Sequence, residues 1–418
     1  MNINDTVICV IGLGYIGLPS ASLLATKGYT VHGMDVNAAV VEALNKGDVL
    51  IHEPSLDLMV KSAVSSGKLK ANIEPAGADI FILSVPTPFA EQHQPDLSHV
   101  RAAAKSIAPY VRSGNLVILE STSPVGTTEK VCEWIAEERP DLNIPCTTMR
   151  DNRQEQLYVA HCPERVLPGR ILIELVTNDR VVGGVDAAST EKAVEFYATF
   201  VHGKVCATSA RTAELVKLTE NSFRDVNIAF ANELSMICDE LGVSVWEVIE
   251  LANRHPRVNI LQPGPGVGGH CIAVDPWFIV SSAPKTARLI RTAREVNDFK
   301  PEVVLAKVRK KAARFTAPVV ACLGLSFKAN IDDMRESPAL HIVEKLADEK
   351  IASVLVVEPF VRELPDDLRG KAEKCTLAEA LDRADIILLL VDHDQFKKVD
   401  KSRLLSKVVI DTRGIYVM

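Results

Sequence analysis

The sequence predicts an α/β protein in which two Rossmann-like, doubly wound domains are joined by a central helical domain with one long helix. Short apolar runs alternate with helical patterns up to residue 208 and again after residue 300, as expected for such domains. Between them, Ser209–Gly242 is a helical run without proline and with no glycine before its end. We therefore expect three domains, residues 1–208, 209–300 and 301–418.

The first domain opens with a β-α-β unit. Thr6–Ile11 and Thr30–Asp35 are strand-like apolar runs, and the periodic segment Leu18–Lys27 between them is typical of a helix. Arg139–Gln156 is polar and contains proline, so we expect a surface excursion there. Further strands are predicted at Ile80–Val85, Leu116–Glu120, Tyr158–His161, Val181–Gly184 and Val205–Thr208, and helices at Val100–Tyr110, Thr127–Glu138 and Ala187–Phe200.

The long helix is expected to begin after Ser209, whose hydroxyl suits an N-cap. Helical patterns follow at Val245–Asn253 and Thr286–Asp298, on either side of a glycine-rich loop. The last domain alternates again, with strands predicted at Val319–Leu323, Val354–Val357, Ile386–Val391 and Val408–Asp411 and helices at Pro338–Asp348 and Thr376–Arg383.

Composition narrows the function classes. The 418 residues are 47% hydrophobic and 24% charged, as in ordinary globular proteins, and the net charge of −7 argues against a general nucleic-acid binder. No stretch approaches the roughly 20 apolar residues of a membrane span, and the first residues do not form a secretion signal, so we expect a cytoplasmic protein. The nine cysteines contain no CxxC pair, which favours reduced thiols over disulfides or a zinc site.

The stretch GLGYIG predicts a dinucleotide site. It lies between a strand and a helix, where glycines allow a tight turn and the helix N-terminus offers N–H groups to a pyrophosphate. Asp35 at the end of the second strand can accept hydrogen bonds from a ribose diol, which favours NAD over NADP. The residues assigned to the cofactor here are Gly12, Gly14, Tyr15, Ile16, Gly17 and Asp35.

Two more strand ends carry polar loops, Ser84–Pro88 and Glu120–Pro124. Ligands of open α/β sheets bind beyond the carboxyl ends of the strands, so Thr87 and Thr122 are placed to touch the cofactor or a water beside it. Ser, Thr and Pro also favour turns, and turn chemistry alone would explain either loop.

The long helix carries a polar face. Lys217, Asn221 and Arg224 are spaced i, i+4 and i+7, and a lysine with an amide would suit stabilisation of a developing oxyanion. A solvated face would explain the same spacing. The following apolar residues, 228–230, look buried and argue against that alternative.

The stretch PGPGVGGHCIAVDP, Pro263–Pro276, presents Cys271 after a glycine-rich run and four residues before Asp275. Glycines let a backbone approach a substrate closely, and a cysteine thiolate is a strong nucleophile near neutral pH. A small buried hydrophobe is the commoner role of a cysteine. Basic residues at 254–257, Lys328 and Arg335 suit a diphosphate as a set, although each alone could be surface charge.

Taken together, the motifs resemble the UDP-sugar 6-dehydrogenases, NAD-dependent four-electron enzymes that oxidise a nucleotide-sugar alcohol to a uronic acid. CPERVLPGR, NRHPRVNILQPGPGVGGHCIAVDPWF and LVDHDQF are most similar to members that act on UDP-N-acetyl-D-mannosamine for surface polysaccharides. The resemblance spans almost the whole chain and is carried, in the family's order, by GLGYIG, SVPTP, ESTSPVGTT, CPERVLPG, AELVKLTENSFRDVNIAFANE, GPGVGGHCIAVDP and LSFKANIDDMRESPA.

The resemblance implies Cys271 as the nucleophile, Lys217 as an acid/base or oxyanion group, and a homodimer built on the long helix. Asn221 and Asp275 would support them. The last domain would bind the UDP-sugar, and Arg335 would contact both substrate and cofactor. Substrate contacts are implied for Arg165, Val166, Lys217, Asn221, Arg224, His255, Arg257, Gly266, Phe327, Lys328 and Arg335.

One position departs from the family. Members that use UDP-glucose carry a second glutamate four residues after the one matching Glu164, whereas this chain has Pro168. The residue that activates the hydrolytic water therefore stays open, and the candidates are Thr122, Glu164, Asp275 and Lys217.

Two other functions remain open from the sequence. A two-electron β-hydroxyacid-type dehydrogenase shares the opening motif and a lysine with an asparagine four residues on, but Cys271 and the second α/β domain argue against it. A sensor that binds NAD or a nucleotide sugar without turnover would keep the same fold.

Overall fold

The computed structural model describes residues 2–51, 53–89, 93–146, 155–167, 169–269 and 271–416. The chain forms two compact units. The first consists of residues 1–219 and 277–282, and the second of residues 220–276 and 283–418. The limits of the three predicted domains stay a prediction. Within the described ranges, no helix has the length and apolar character that crossing a membrane requires.

The first unit contains an eight-stranded sheet in the order β3-β2-β1-β4-β5-β6-β7-β8. Neighbouring strands are parallel except for the antiparallel pair β6–β7, which confirms the predicted, mainly parallel sheet. The strands are β1 Val7–Ile11, β2 Thr30–Met34, β3 Leu69–Asn72, β4 Ile80–Leu83, β5 Leu116–Leu119, β6 Tyr158–His161, β7 Arg180–Gly184 and β8 Val205–Ser209.

Helices cover both faces of this sheet, which explains why its strands β1, β4 and β5 are apolar throughout. Along β1, Ile8 and Val10 belong to one buried cluster, while Cys9 and Ile11 belong to the cluster on the opposite face. The helices are α1 Gly17–Thr26, α2 Ala38–Asn45, α3 Leu56–Ser65, α4 Ser98–Ile107, α5 Thr127–Glu138, α6 Ile171–Thr177 and α7 Ala187–Tyr197.

Helix α8, Ala210–Leu241, is the predicted long helix, and the N–H of Thr212 donates to the Ser209 hydroxyl at 3.3 Å, as expected of an N-cap. Four more helices follow it along the chain. They are α9 Val245–Ala252, α10 Asp275–Ser282, α11 Arg288–Ala312 and α12 Pro338–Glu349. The prediction that α11 ends at Asp298 was wrong, because the helix continues past Pro301 to Ala312.

The second unit contains a five-stranded sheet in the order β11-β10-β9-β12-β13, with each neighbouring pair parallel. Residues 320–323 of β9 and all four residues of β12 are fully buried, and α11 and α12 cover one face. The strands are β9 Val319–Leu323, β10 Ser353–Val357, β11 Glu373–Lys374, β12 Ile386–Leu389 and β13 Val408–Asp411, and the remaining helices are α13 Leu377–Arg383 and α14 Asp394–Lys397.

Candidate active site

The glycine turn after β1 fits a pyrophosphate. Gly12 has a φ of +92°, and a Cβ there would lie 2.5 Å from the carbonyl oxygen of Ser84. A Cβ at Gly17 would lie 1.8 Å from the carbonyl oxygen of Gly12, so neither position accepts another residue. Gly14 instead faces open space, and α1 begins without a side-chain cap. A phosphate can therefore approach the backbone at Gly14 and the N-terminus of α1.

Asp35 is held at the end of β2 by two backbone hydrogen bonds. Its carboxylate accepts the N–H of Leu13 and the N–H of Asn37, both at 2.9 Å. Each carboxylate oxygen can accept a further hydrogen bond, so a ribose diol could still bind. Asp35 thus connects the second strand to the glycine turn and stays half-buried at the position expected of a ribose acceptor.

The second sheet repeats this arrangement. After β9, the N–H of Leu325 donates to Glu358 at 2.7 Å, just as Leu13 donates to Asp35 after β1. Glu358 is buried, its carboxylate also accepts the N–H of Phe360 at 3.1 Å, and the His393 imidazole lies 3.2 Å away. The second α/β fold therefore reproduces the turn and the acid, but its acid is enclosed by protein and is not available to a ribose.

The two polar strand-end loops of the first unit are joined to each other. The Thr87 hydroxyl donates to the carbonyl oxygen of Thr122 at 2.6 Å, and the Ser121 hydroxyl donates to the carbonyl oxygen of Val85 at 2.6 Å. Both threonines are half-buried. The structure thus brings Thr87 and Thr122 together at the ends of β4 and β5, the edge where a cofactor binds in an open α/β sheet.

A buried cluster of polar side chains that sequence reasoning missed lies beneath these loops. Glu120 accepts hydrogen bonds from the hydroxyls of Ser84 at 3.0 Å and Tyr197 at 2.8 Å. Burial, and next the repulsion of Glu164, raise the pKa of Glu120 to about 7. The position of Glu120 directly after a strand was a usable sequence signal. Nothing in the sequence, however, indicates that the distant Tyr197 is its partner.

Glu164 belongs to the same buried region. Its carboxylate pairs with Arg180 at 2.6 Å and accepts the N–H of Arg165 at 2.7 Å. Arg165 and Val166 are half-buried, and the Arg165 guanidinium donates to the carbonyl oxygen of Asp179 at 3.2 Å. Pro168 lies outside the described residues.

In the second unit, Cys271 begins the turn that leads into α10. Its carbonyl oxygen accepts the N–H groups of Val274 at 3.0 Å and Asp275 at 2.9 Å. The Asp275 carboxylate accepts the Asn221 amide N–H at 2.5 Å, and both side chains are buried. The structure therefore joins two predicted site residues directly and keeps the half-buried Cys271 thiol out of any disulfide.

The glycine loop before Cys271 packs closely against the segment after β9. A Cβ at Gly268 would lie 2.3 Å from the carbonyl oxygen of Glu336, and one at Gly269 would lie 2.9 Å from the Phe327 ring. The N–H of Gly269 donates to the carbonyl oxygen of Arg335 at 3.2 Å. Phe327 and Arg335, both predicted substrate residues, thus flank the loop that carries the cysteine.

The basic candidates of the second unit are exposed, and the Arg335 guanidinium pairs with Asp333 at 2.6 Å. Lys217 is half-buried in the first unit, and its expected role beside Cys271 stays a prediction. Phe230 was expected to be buried, which was wrong, since it is 54% exposed. The exposed basic candidates are Arg224, His255, Arg257, Lys328 and Arg335.

Three family models match the chain. They are described as the NAD binding, central and UDP binding domains of the UDP-glucose/GDP-mannose dehydrogenase family, and they match residues 6–201, 211–299 and 321–418. These matches cover most of the sequence.

Two curated relatives and one solved structure show how close the similarity is. The chain is 58% identical over 416 residues to an NDP-N-acetyl-D-galactosaminuronic acid dehydrogenase of Ralstonia nicotianae, covering 100% of this chain and 97% of the relative. It is 52% identical over 417 residues to the UDP-N-acetyl-D-mannosamine dehydrogenase of Escherichia coli K12, covering 98% and 99%. The UDP-N-acetyl-mannosamine dehydrogenase Cap5O from S. aureus superposes with a TM-score of 0.85 at 41% identity, covering 98% and 95%.

The change Asp35→Asn tests the ribose acceptor. Because an amide neither repels a 2′-phosphate nor accepts two ribose hydroxyls as strongly, the ratio of kcat/KM for NAD over NADP should fall by about tenfold or more. Asp48→Asn, which changes an exposed carboxylate of the same unit, should leave the ratio unchanged. A wild-type enzyme that already uses NADP as well as NAD would remove Asp35 from this role.

The change Glu120→Gln tests the buried cluster. With its pKa raised to about 7, Glu120 keeps a proton in the folded state that the unfolded chain releases near its ordinary value. The wild type therefore loses up to about 3 kcal/mol of stability from this group as the pH rises through that window, whereas the glutamine variant does not.

Urea denaturation from pH 5 to pH 8 measures this effect. The free energy of unfolding of the variant minus that of the wild type should rise with pH. A difference that stays flat or falls would show that Glu120 is ionised across the range.

Proposed function

Because the chain belongs to the UDP-glucose/GDP-mannose dehydrogenase family, a family of NAD-dependent oxidoreductases, we propose that it oxidises the C6 alcohol of UDP-N-acetyl-D-mannosamine to the uronate. The glycine loop that presents Cys271 is the observation that carries the four-electron reaction. UDP-N-acetyl-D-galactosamine is a second candidate, since the Ralstonia relative is named for the corresponding uronic acid. The product would serve surface polysaccharide synthesis.

The nucleotide cofactor would be held by the glycine turn, Asp35, Thr87 and Thr122 in the first unit. When bound, NAD⁺ supplies a hydride acceptor, used once at the alcohol and once at the sulfur adduct. The net reaction consumes one water and two NAD⁺ for each alcohol and yields one carboxylate, two NADH and three protons.

Cys271 would provide the step that an ordinary alcohol dehydrogenase lacks. An aldehyde carries no hydroxyl on a tetrahedral carbon and is a poor hydride donor. The Cys271 thiolate adds to the aldehyde carbon and forms a C–S bond, and the resulting thiohemiacetal again carries both a hydrogen and an oxygen on C6. Loss of the hydride leaves a thioester, and water then cleaves the C–S bond and returns the thiol.

The residues around Cys271 divide the supporting roles. Asn221 is fixed by its hydrogen bond to Asp275 and would donate its other N–H to the oxygen that develops on C6. Lys217 would protonate or stabilise the same oxygen. Water activation would fall to Lys217, Asp275, Thr122 or Glu164, and the Glu164 carboxylate already has Arg180 as a partner.

The UDP-sugar would be bound by exposed cations and by the segment beside the glycine loop. Guanidinium and ammonium groups suit the diphosphate, and the Phe327 ring, which approaches Gly269, offers an apolar surface to a sugar or base. The proposed substrate residues are Arg165, Val166, Lys217, Asn221, Arg224, His255, Arg257, Gly266, Phe327, Lys328 and Arg335, and Arg335 is also a proposed cofactor residue.

A homodimer through α8 is supported by an exposed apolar stripe on that helix. Phe223, Phe230, Ile237 and Leu241 are 68%, 54%, 46% and 71% exposed. The first three are spaced seven residues apart, so they lie along one side of the helix. Large apolar side chains in such a line are typical of a surface that another protein chain covers.

Turnover with a panel of UDP-sugars tests the proposed function. UDP-N-acetyl-D-mannosamine should give the highest kcat/KM, above UDP-N-acetyl-D-galactosamine and UDP-glucose, with two NADH formed per uronate. One NADH per sugar would identify a two-electron dehydrogenase, and binding without any NADH would identify a sensor.

Cys271→Ser tests the covalent step. A hydroxyl is a far weaker nucleophile and an alkoxide a worse leaving group than a thiolate, so uronate formation should fall by about 10² or more. NAD affinity should be unchanged, because the glycine turn belongs to the other unit. Cys375→Ser, which changes a half-buried cysteine directly after β11, is the control. Full-rate turnover by the Cys271 variant would contradict the mechanism.

Phe230→Asp tests the dimer. A carboxylate in the centre of the stripe would have to be desolvated in an interface, so the variant should elute and scatter light as a monomer while the wild type is a dimer. Leu405→Asp alters an exposed leucine away from α8 and should leave the mass unchanged. A monomeric wild type would refute the proposed interface.

A further inference from the structure

A chain of buried polar side chains runs from α11 to α8 and ends at the glycine loop. The Arg294 guanidinium donates to the Asp225 carboxylate at 2.6 Å, and the Asn297 amide donates to the same carboxylate at 2.8 Å. The Asn232 amide donates to the Asn297 oxygen at 2.9 Å, and the Asn232 oxygen accepts the N–H of Gly264 at 2.8 Å. We call Arg294, Asp225, Asn297 and Asn232 the amide relay.

The charge at one end sets the direction of every bond in the amide relay. The Asp225 carboxylate only accepts, so Asn297 must turn its NH₂ group toward it and its oxygen toward Asn232. Asn232 must then donate its NH₂ to Asn297, which leaves its oxygen facing Gly264. Burial raises the pKa of Asp225, and the paired Arg294 guanidinium opposes that rise by favouring the carboxylate, which as an acceptor fixes both amides in one orientation.

Burial makes this arrangement costly to disturb. The four residues of the amide relay are at most 1% exposed, so water does not replace a lost partner. Gly264 lies between Pro263 and Pro265, which have no N–H, and is the single backbone donor of that tripeptide. The relay therefore holds the start of the glycine loop by the one donor the sequence offers there.

The rest of the loop is held from another side. A Cβ at Gly266 would lie 2.8 Å from Pro338 and 3.3 Å from Pro301 of α11, and Gly268 and Gly269 pack against the segment after β9. The loop is thus fixed at Gly264 by hydrogen bonding and at residues 266–269 by close packing. Cys271 follows directly.

We propose that Asn232 is a positioning residue, which through the amide relay holds the Gly264 turn and so orients Cys271 for attack on the substrate. This inference rests on the proposed role of Cys271 as the nucleophile. It assigns α8 a function besides carrying Lys217 and Asn221, since the face that includes Asp225 and Asn232 aligns the cysteine loop.

A cation beside Asn232 makes a reversal of the relay testable. The Lys300 ammonium donates to the Ser235 hydroxyl and, at 3.4 Å, to the carbonyl oxygen of Asn232. Burial lowers the pKa of Lys300 to about 8, so it is largely protonated at neutral pH. A carboxylate introduced at position 232 would have this cation as a neighbour.

The experiment is a charge swap with isosteric side chains. Asn232→Asp alone turns a carboxylate oxygen against the Asn297 oxygen, so kcat should fall by about 10² while KM for the UDP-sugar stays within about threefold. In the double variant Asp225→Asn/Asn232→Asp, both amides can reverse, so that the Asn297 NH₂ meets the new carboxylate at position 232 and the Asn297 oxygen meets the new amide at position 225. The kcat of the double variant should be at least about tenfold higher than that of Asn232→Asp alone.

The rate at which iodoacetamide alkylates Cys271, read by peptide mass spectrometry, should follow the same order. Ser222→Ala removes from the same helix a buried hydroxyl that has no hydrogen-bond partner among the described residues, and it should change neither quantity. Losses that simply add in the double variant, or an alkylation rate of Cys271 equal in all variants, would overturn the proposal.

Hydrogen exchange on the wild-type enzyme tests the relay even where a variant does not fold. The Gly264 N–H should exchange as slowly as helix N–H groups, and fast exchange would overturn the proposal. If Cys271→Ser kept full turnover, the nucleophile assignment would fail, while Gly264 exchange and Cys271 alkylation would still decide whether the relay orients the loop.

Discussion

The placement of Cys271 depends on a backbone contact that admits no side chain. Gly266, Gly268 and Gly269 lie so close to the start of α12 or to the segment after β9 that a Cβ at any of them would meet a neighbour at under 3 Å. That contact joins the cysteine loop to the fold that carries Phe327 and Arg335. The glycines are therefore required first by packing within the second unit, and the position of Cys271 follows from that packing.

Helix α8 supplies the other constraint. Asn221 of this helix donates a hydrogen bond to Asp275, and Asn232 accepts one from Gly264. In sequence, Gly264 precedes Cys271 and Asp275 follows it. Polar residues in the middle of a buried helix face are costly unless each finds a partner. Here the partners lie in the loop before Cys271 and in the turn after it. The polar groups of the helix and those of the loop therefore satisfy each other's hydrogen bonds. Phe230 belongs to the exposed apolar stripe of the same helix. It is therefore solvent-exposed although its neighbours in sequence are apolar.

The sequence predicted the local features well and the long-range ones poorly. The glycine turn, the acid at Asp35 and the cysteine loop are each specified by a few adjacent residues and could be located from them. Helices α2 and α3 are only 8 and 10 residues long and give too few apolar repeats to show a period. Helix α11 continues through Pro301, which packs beside Gly266, so tertiary contact overrides a local breaker. Partners such as Arg180 for Glu164 lie on separate elements and leave no pattern.

The proposed mechanism requires that the substrate becomes covalently attached to Cys271 during oxidation. Acid quenching of the enzyme during turnover with saturating NAD⁺ and UDP-N-acetyl-D-mannosamine, followed by peptide mass spectrometry, would detect this attachment. We expect a Cys271 peptide heavier by the acyl group of the oxidised UDP-sugar, and this form should disappear once the substrate is exhausted. An unmodified Cys271 peptide at every quench time, while uronate accumulates with two NADH each, would contradict the proposed mechanism.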